Sequence, residues 1–115
     1  MTAKKFEVWV ASLDPKFGTE AGKTRPVLIV QTDSLNKVHP STLICPLTTN
    51  VKLESQILRV FIKKGTAKIE EDCDVMIDQL RAIDNKRLIK KIGEIPGEIS
   101  EEVKKNLRII LDIDE

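Results

Sequence analysis

Apolar residues in this chain recur mainly with a period of two, in short runs broken by turn chemistry. Phe6 to Leu13 alternates loosely, as a strand with one partly wet face does. Asp14-Pro15-Lys16-Phe17-Gly18 is turn-forming and opens a loop that runs to Thr24. Val27 to Thr32 is a β-branched and leucine run, the pattern of a buried strand. Asp33 to Ser41 reads as a second loop. Thr42 to Leu47 reads as a third strand, its end demoted by Pro46 to an edge or bulge. Ile57 to Ile62 gives a fourth strand, turned at Gly65, and Asp74 to Leu80 a short fifth. A helical turn is expected around Asn85 to Leu88, then a last strand over Ile89 to Ile95.

The closing segment changes period. Val103, Leu107, Ile110 and Leu111 fall at i, i+4, i+7 and i+8, one stripe of a helix. Ser100 is the expected N-cap, and Glu101 and Glu102 suit the positive end of the dipole in the first turn. These elements describe one domain over 1–115: mainly β, mostly antiparallel, with a C-terminal amphipathic helix and no internal repeat or linker.

Composition narrows the chemistry. At 115 residues, with 41% hydrophobic and 32% charged content, the chain has the make-up of an ordinary soluble globule. It has no apolar run of ~18 residues and no apolar core near its start, so the cytosol is the expected compartment and no membrane partner is expected. Two isolated cysteines make neither a disulfide framework nor, with one histidine, a zinc site. The net charge of +1 hides an asymmetry. Residues 1–68 carry 11 Lys/Arg against 5 Asp/Glu, and residues 69–115 carry 8 against 13. A basic half can neutralise phosphates while the whole chain stays near neutral.

Gly18-Thr19-Glu20-Ala21-Gly22-Lys23-Thr24 imitates a phosphate-binding P-loop and fails as one. Three residues separate its glycines where four are needed, and a strand rather than a helix follows. More informative is Arg25-Pro26 ahead of Val27-Leu28-Ile29-Val30. A permanently charged guanidinium stands at the mouth of a buried strand, beside a residue of fixed φ, which suits phosphate binding. Two further polar groups are bounded by strand residues: Thr48 with Thr49, and Asp78-Gln79 with Arg81. Convergence of all three groups on one rim of a small barrel is the expectation. Histidine-dependent hydrolysis lacks a partner for His39, which reads as a surface loop residue, and Glu70-Glu71-Asp72 reads as a solvated turn.

Glu7-Val8-Trp9, Leu13-Asp14-Pro15, Gly18 through Val27, Pro46-Leu47-Thr48-Thr49 and Asp78 through Asp84 occur in that order, followed by Arg87-Leu88 and Lys91-Ile92-Gly93. Together they resemble the MazF/PemK family of toxin–antitoxin endoribonucleases over nearly the whole chain. That resemblance implies an SH3-like antiparallel β-barrel with a terminal helix, a homodimer, and a cognate antitoxin as partner. It also implies cofactor-free, metal-independent cleavage of single-stranded RNA at short sequence motifs. The family's catalytic arginine and threonine fall on Arg25 and Thr48, and its substrate contacts on Thr19, Glu20, Gln79 and Arg81. Asp78 matches an acidic position that one branch uses catalytically, although that branch's histidine has no counterpart before Gly18.

The implied reaction is attack of a ribose 2′-hydroxyl on the adjacent phosphate, giving a 2′,3′-cyclic phosphate and a 5′-hydroxyl. Arg25 and Thr48 would donate to the non-bridging oxygens. Arginine is a poor base, so the proton goes to Glu20 or Asp78, or the enzyme works by positioning and electrostatics. Two other classes remain: a non-cleaving poison like the gyrase-inhibiting toxins, and a non-catalytic RNA-binding module on the same barrel. The first depends on a tryptophan-containing tail, whereas this chain ends Ile110-Leu111-Asp112-Ile113-Asp114-Glu115. The second has no need of both Arg25 and Thr48.

Overall fold

A computed structural model describes residues 2–54 and 58–113. The strands are β1 (Glu7–Ser12), β2 (Thr24–Ile29), β3 (Ser41–Thr48), β4 (Arg59–Ile62), β5 (Cys73–Met76), β6 (Arg81–Asp84) and β7 (Leu88–Glu94). A single turn, α1 (Asp33–Asn36), follows β2, and α2 (Gly97–Leu111) closes the chain. All pairings are antiparallel, in the order β4-β5-β3-β2-β1-β7, with β6 also on β3. The mainly β architecture with a C-terminal helix is the one the sequence implied.

Hydrophobic periodicity builds two packed faces on this sheet. Val8 and Leu28 belong to one core cluster, with Leu47, Val60, Val75 and Val103; their neighbours Trp9, Val27 and Ile29 belong to the other, with Leu13 and Ile44. Burial on both faces explains why β2 reads as an unbroken apolar run. Helix α2 covers the first face through Val103, with Leu107 and Ile110 packed beside it. Leu111 is not part of that stripe and stands half exposed. The sheet curls, but no β4–β7 ladder closes it among the described residues. Instead the turn Thr66–Lys68 packs on β7, so tightly that a Cβ on Gly93 would collide with the Ala67 carbonyl.

Several boundaries differ from the expectation, each for a physical reason. The segment Asp74–Leu80 is not one strand: β5 ends at Met76, and a 3₁₀ turn at Ile77–Gln79 carries the chain to β6. Both strands then use the same edge of β3, β6 along Ser41–Ile44 and β5 along Leu47–Thr48. Pro46 falls where β3 changes partners, inside the sheet rather than at an edge, so its missing N–H interrupts no ladder on that side. Ser100 is not the N-cap. The helix starts one turn earlier, because Pro96 presets the backbone and its carbonyl accepts from Ile99 and Ser100 (both 3.1 Å). Glu98 is then the first-turn acid, and Ser100 is buried, donating to the Gly97 carbonyl (2.9 Å). The loop at Asp33 to Ser41 contains α1, and the start of the fourth strand, Ile57, lies outside the described residues.

Candidate active site

The residues ahead of β2 form a loop that is tied down at both its base and its tip. At the base, Leu13 N–H donates to the Lys23 carbonyl (2.8 Å) and Lys23 N–H to Asp14 Oδ1 (2.7 Å). Arg87 adds a guanidinium that donates to the Ser12 carbonyl (3.1 Å) and to the Asp14 carbonyl. The loop folds back so closely at Gly22 that a Cβ there would lie 2.6 Å from the Lys16 Cβ. At the tip, Gln79 donates to the Thr19 carbonyl and accepts from Ala21 N–H (3.3 Å each), while Arg81 donates to the Ala21 carbonyl (3.5 Å).

This loop delivers Arg25 to the start of β2. Its Nε donates to the Gly22 carbonyl (2.8 Å) and its Nη1 to the Leu47 carbonyl (3.3 Å). A guanidinium has five N–H groups, so three remain for a ligand, among them both on Nη2. Next to Leu47, at the end of β3, Thr48 Oγ1 accepts from Asn50 N–H (3.2 Å). Arg25 and Thr48 are both half-buried and line one cleft of about 770 Å³. Lys23, Lys68, Lys90 and Lys91 also line it, against Glu70 and Glu71. That cationic excess suits a polyanion.

Lys91 is set by Glu7, a buried carboxylate that accepts from its ammonium (3.0 Å), from the Trp9 indole (2.9 Å) and from Lys4 N–H (2.8 Å). Burial pushes the Glu7 carboxyl up, but those hydrogen bonds outweigh it and hold the group below its ordinary value. The Cys45 thiol is pushed up to about 12, by burial first and then by the Asp78 charge. It is therefore no nucleophile at neutral pH.

A model of the PemK-like, MazF-like toxins of type II toxin–antitoxin systems matches residues 4–111. The chain belongs to this family. Endoribonuclease EndoA of Bacillus subtilis is 32% identical over 111 residues, covering 96% of each chain. MazF of Deinococcus radiodurans superposes with a TM-score of 0.82 at 21% identity, covering 98% of this chain and 99% of that one. Mycobacterium tuberculosis toxin MazF-mt6 follows at 0.80 and 20%, covering 95% and 99%. A MazE–MazF complex from Deinococcus radiodurans gives 0.79 at 21%, covering 99% of each.

Within this MazF-like chain, two of the three polar groups singled out in the sequence meet at the cleft. The third, Asp78-Gln79 with Arg81, does not line it; Gln79 and Arg81 hold the Thr19–Ala21 backbone instead. Thr19, Glu20 and Asp78 are exposed, and none lines the cleft. The acids that do are Glu70 and Glu71, from the segment read as a solvated turn. The lysines of β7 carry no local signal either, since they reach the cleft by pairing with β1, on its far side from β2. Phe17, at the loop tip, is 81% exposed. Local pattern cannot separate such a ring from a core phenylalanine.

Proposed function

We propose that this protein is the toxin of a type II toxin–antitoxin pair, an endoribonuclease that cuts single-stranded RNA within short sequence motifs. The observation that carries the reading is the Arg25 guanidinium, anchored by two carbonyls with three donors to spare, in one cleft with the Thr48 hydroxyl. A ribose 2′-oxygen attacks the neighbouring phosphorus, the bond to the 5′-oxygen breaks, and that oxygen takes up a proton. The products are a 2′,3′-cyclic phosphate and a 5′-hydroxyl. Negative charge grows on the non-bridging oxygens, where the planar fork of Arg25 donates two hydrogen bonds and Thr48 a third.

Glu20 and Asp78 do not line the cleft of the single chain, whereas Glu70 and Glu71 do; the reading adopted is catalysis by positioning and electrostatics, with water receiving the 2′-hydroxyl proton. Cleavage needs no metal ion. Thr19, Glu20, Gln79 and Arg81 form the loop edge along which flanking nucleotides run, and the exposed Phe17 ring offers a stacking surface. Two chains form the working homodimer. The antitoxin places an acidic or apolar segment over the cationic cleft and blocks it.

The decisive experiment maps cut ends on a long single-stranded RNA and determines their chemistry. Cyclic phosphate and 5′-hydroxyl ends are expected in the presence of chelator, and no cleavage at a site carrying a single 2′-deoxyribose. Products with 5′-phosphates, or cutting of the deoxy site, overturn the mechanism.

A further inference from the structure

Beside Thr48 lies an ion pair, its carboxylate buried and its guanidinium half-buried, that the reaction as described leaves without a task. Asp74 is 1% exposed and stands directly opposite Thr48 in the β3–β5 register. Its Oδ2 accepts from Lys52 N–H (2.7 Å) and pairs with Arg59 Nη1 (3.4 Å). The same Nη1 donates to the Asn50 carbonyl (2.9 Å). Asn50, in turn, is the residue whose N–H donates to Thr48 Oγ1 (3.2 Å). A chain of contacts therefore runs from a buried carboxylate, through a guanidinium and one backbone residue, to the hydroxyl in the cleft.

The physical effect on that hydroxyl is specific. A threonine oxygen has one hydrogen to give and two lone pairs to accept with. With one lone pair taken by Asn50 N–H, the hydroxyl hydrogen cannot point at that amide and is turned toward other acceptors. The geometry holds only while residues 49–52 stay put, and both anchors of that stretch, the Asn50 carbonyl and the Lys52 amide, end on the Arg59–Asp74 pair. For stability alone such a pair is a poor choice, since taking the carboxylate and much of the guanidinium out of water offsets much of their attraction, and apolar residues of similar size often serve as well. The geometry they impose gives the charges a purpose.

We infer that Arg59 and Asp74 are positioning residues that fix the Thr48 hydroxyl as a hydrogen-bond donor into the cleft. The inference rests on the role given to Thr48 above.

The test is a double-mutant cycle on the full chain, read by single-turnover cleavage of a labelled RNA and by RNA binding. Arg59→Met/Asp74→Asn removes both charges together, so neither is left buried alone, and the asparagine oxygen still accepts from Lys52. This variant is expected to lose about 10- to 100-fold in kcat with KM changed less than about twofold, the signature of a misplaced group. In a Thr48→Val background it is expected to lose nothing further. Unchanged kcat in the paired variant, with Thr48→Val impaired, overturns the inference and leaves the proposed function standing. Losses that multiply in the combined variant also overturn it. Wild-type cleavage by Thr48→Val overturns both the inference and the hydroxyl's part in the reaction. Hydrogen exchange supplies a readout that needs no activity. Asn50 is an exposed residue whose amide donates to the Thr48 oxygen; faster exchange of that amide in Arg59→Met/Asp74→Asn supports the inference, and exchange unchanged from the unmodified chain overturns it.

Discussion

Replacing Arg25 with lysine isolates the value of the guanidinium from that of its charge. Two of the five N–H groups of Arg25 are committed to the Gly22 and Leu47 carbonyls, leaving three. A lysine ammonium has three in all. If it satisfies both carbonyls it faces the phosphate with one; if it turns to the phosphate, it abandons the carbonyls that place it. In the first case it loses one of the two donors to the growing oxyanion, in the second the anchoring that aims them, and in both the planar fork that matches two oxygens. Removal of one such donor costs about 10²–10³ in rate, or roughly 2.7–4 kcal/mol. Positive charge is kept, so ground-state attraction for RNA should survive. Arg25→Lys is therefore expected to lower kcat by about 10²–10³ with KM little changed, in single-turnover cleavage of an RNA with one cleavable ribose. The melting temperature should stay close to wild type, because the position is half-buried and water can reach it. Cleavage within about threefold of wild type, or a loss confined to KM, refutes the argument.

Three other outcomes test separate parts of the structure. Gly93→Ala should destabilise by about 1–3 kcal/mol, since the new methyl meets the Ala67 backbone, which cannot swing aside; thermal unfolding should drop about 4 °C for each kcal/mol. Glu7→Gln should flatten the acid limb of stability: the carboxyl is held below its ordinary value near 4.5, so its contribution is present above that pH and lost as pH falls through the folded value. A melting-temperature profile of the variant as steep as wild type below pH 5 contradicts this. Phe17→Ala should leave unfolding unchanged, since the ring is 81% exposed, and weaken RNA binding by about 1–3 kcal/mol, roughly 5- to 150-fold; unchanged affinity removes the stacking role.

How far the sequence carried depends on the range of the interactions involved. The strands and the C-terminal helix were readable because each buries a face whose period is written locally. Arg25-Pro26 was readable for the same reason, a charge set against a run buried on both sides. The turn at Ile77–Gln79 was hidden because Asp74–Leu80 alternates well enough for one strand; only the shared edge of β3 divides it in two. Ser100 looked like a cap because capping is scored on the residue, whereas Pro96 and the buried Ile95 decide where this helix begins. Gln79 and Arg81 were picked out as polar groups near strand ends, yet their hydrogen bonds run to a loop about 60 residues earlier, which no local pattern reveals. The sequence shows Asp74 only as the start of a strand, since nothing in a short alternating segment tells a buried carboxylate from a wet one.

The partner change at Pro46 reaches further than the strand that contains it. Arg25 rides on the layer formed with β1, whereas Leu47 and Thr48 ride on the layer formed with β5, and Pro46 is the crease between them. The span separating the two groups is thus a property of how the sheet folds over, not of either loop, and the Leu47 carbonyl under the guanidinium is the stitch across that fold. Loops around the rim can change in length and sequence, and so in the nucleotides they favour, while the reacting pair keeps its spacing.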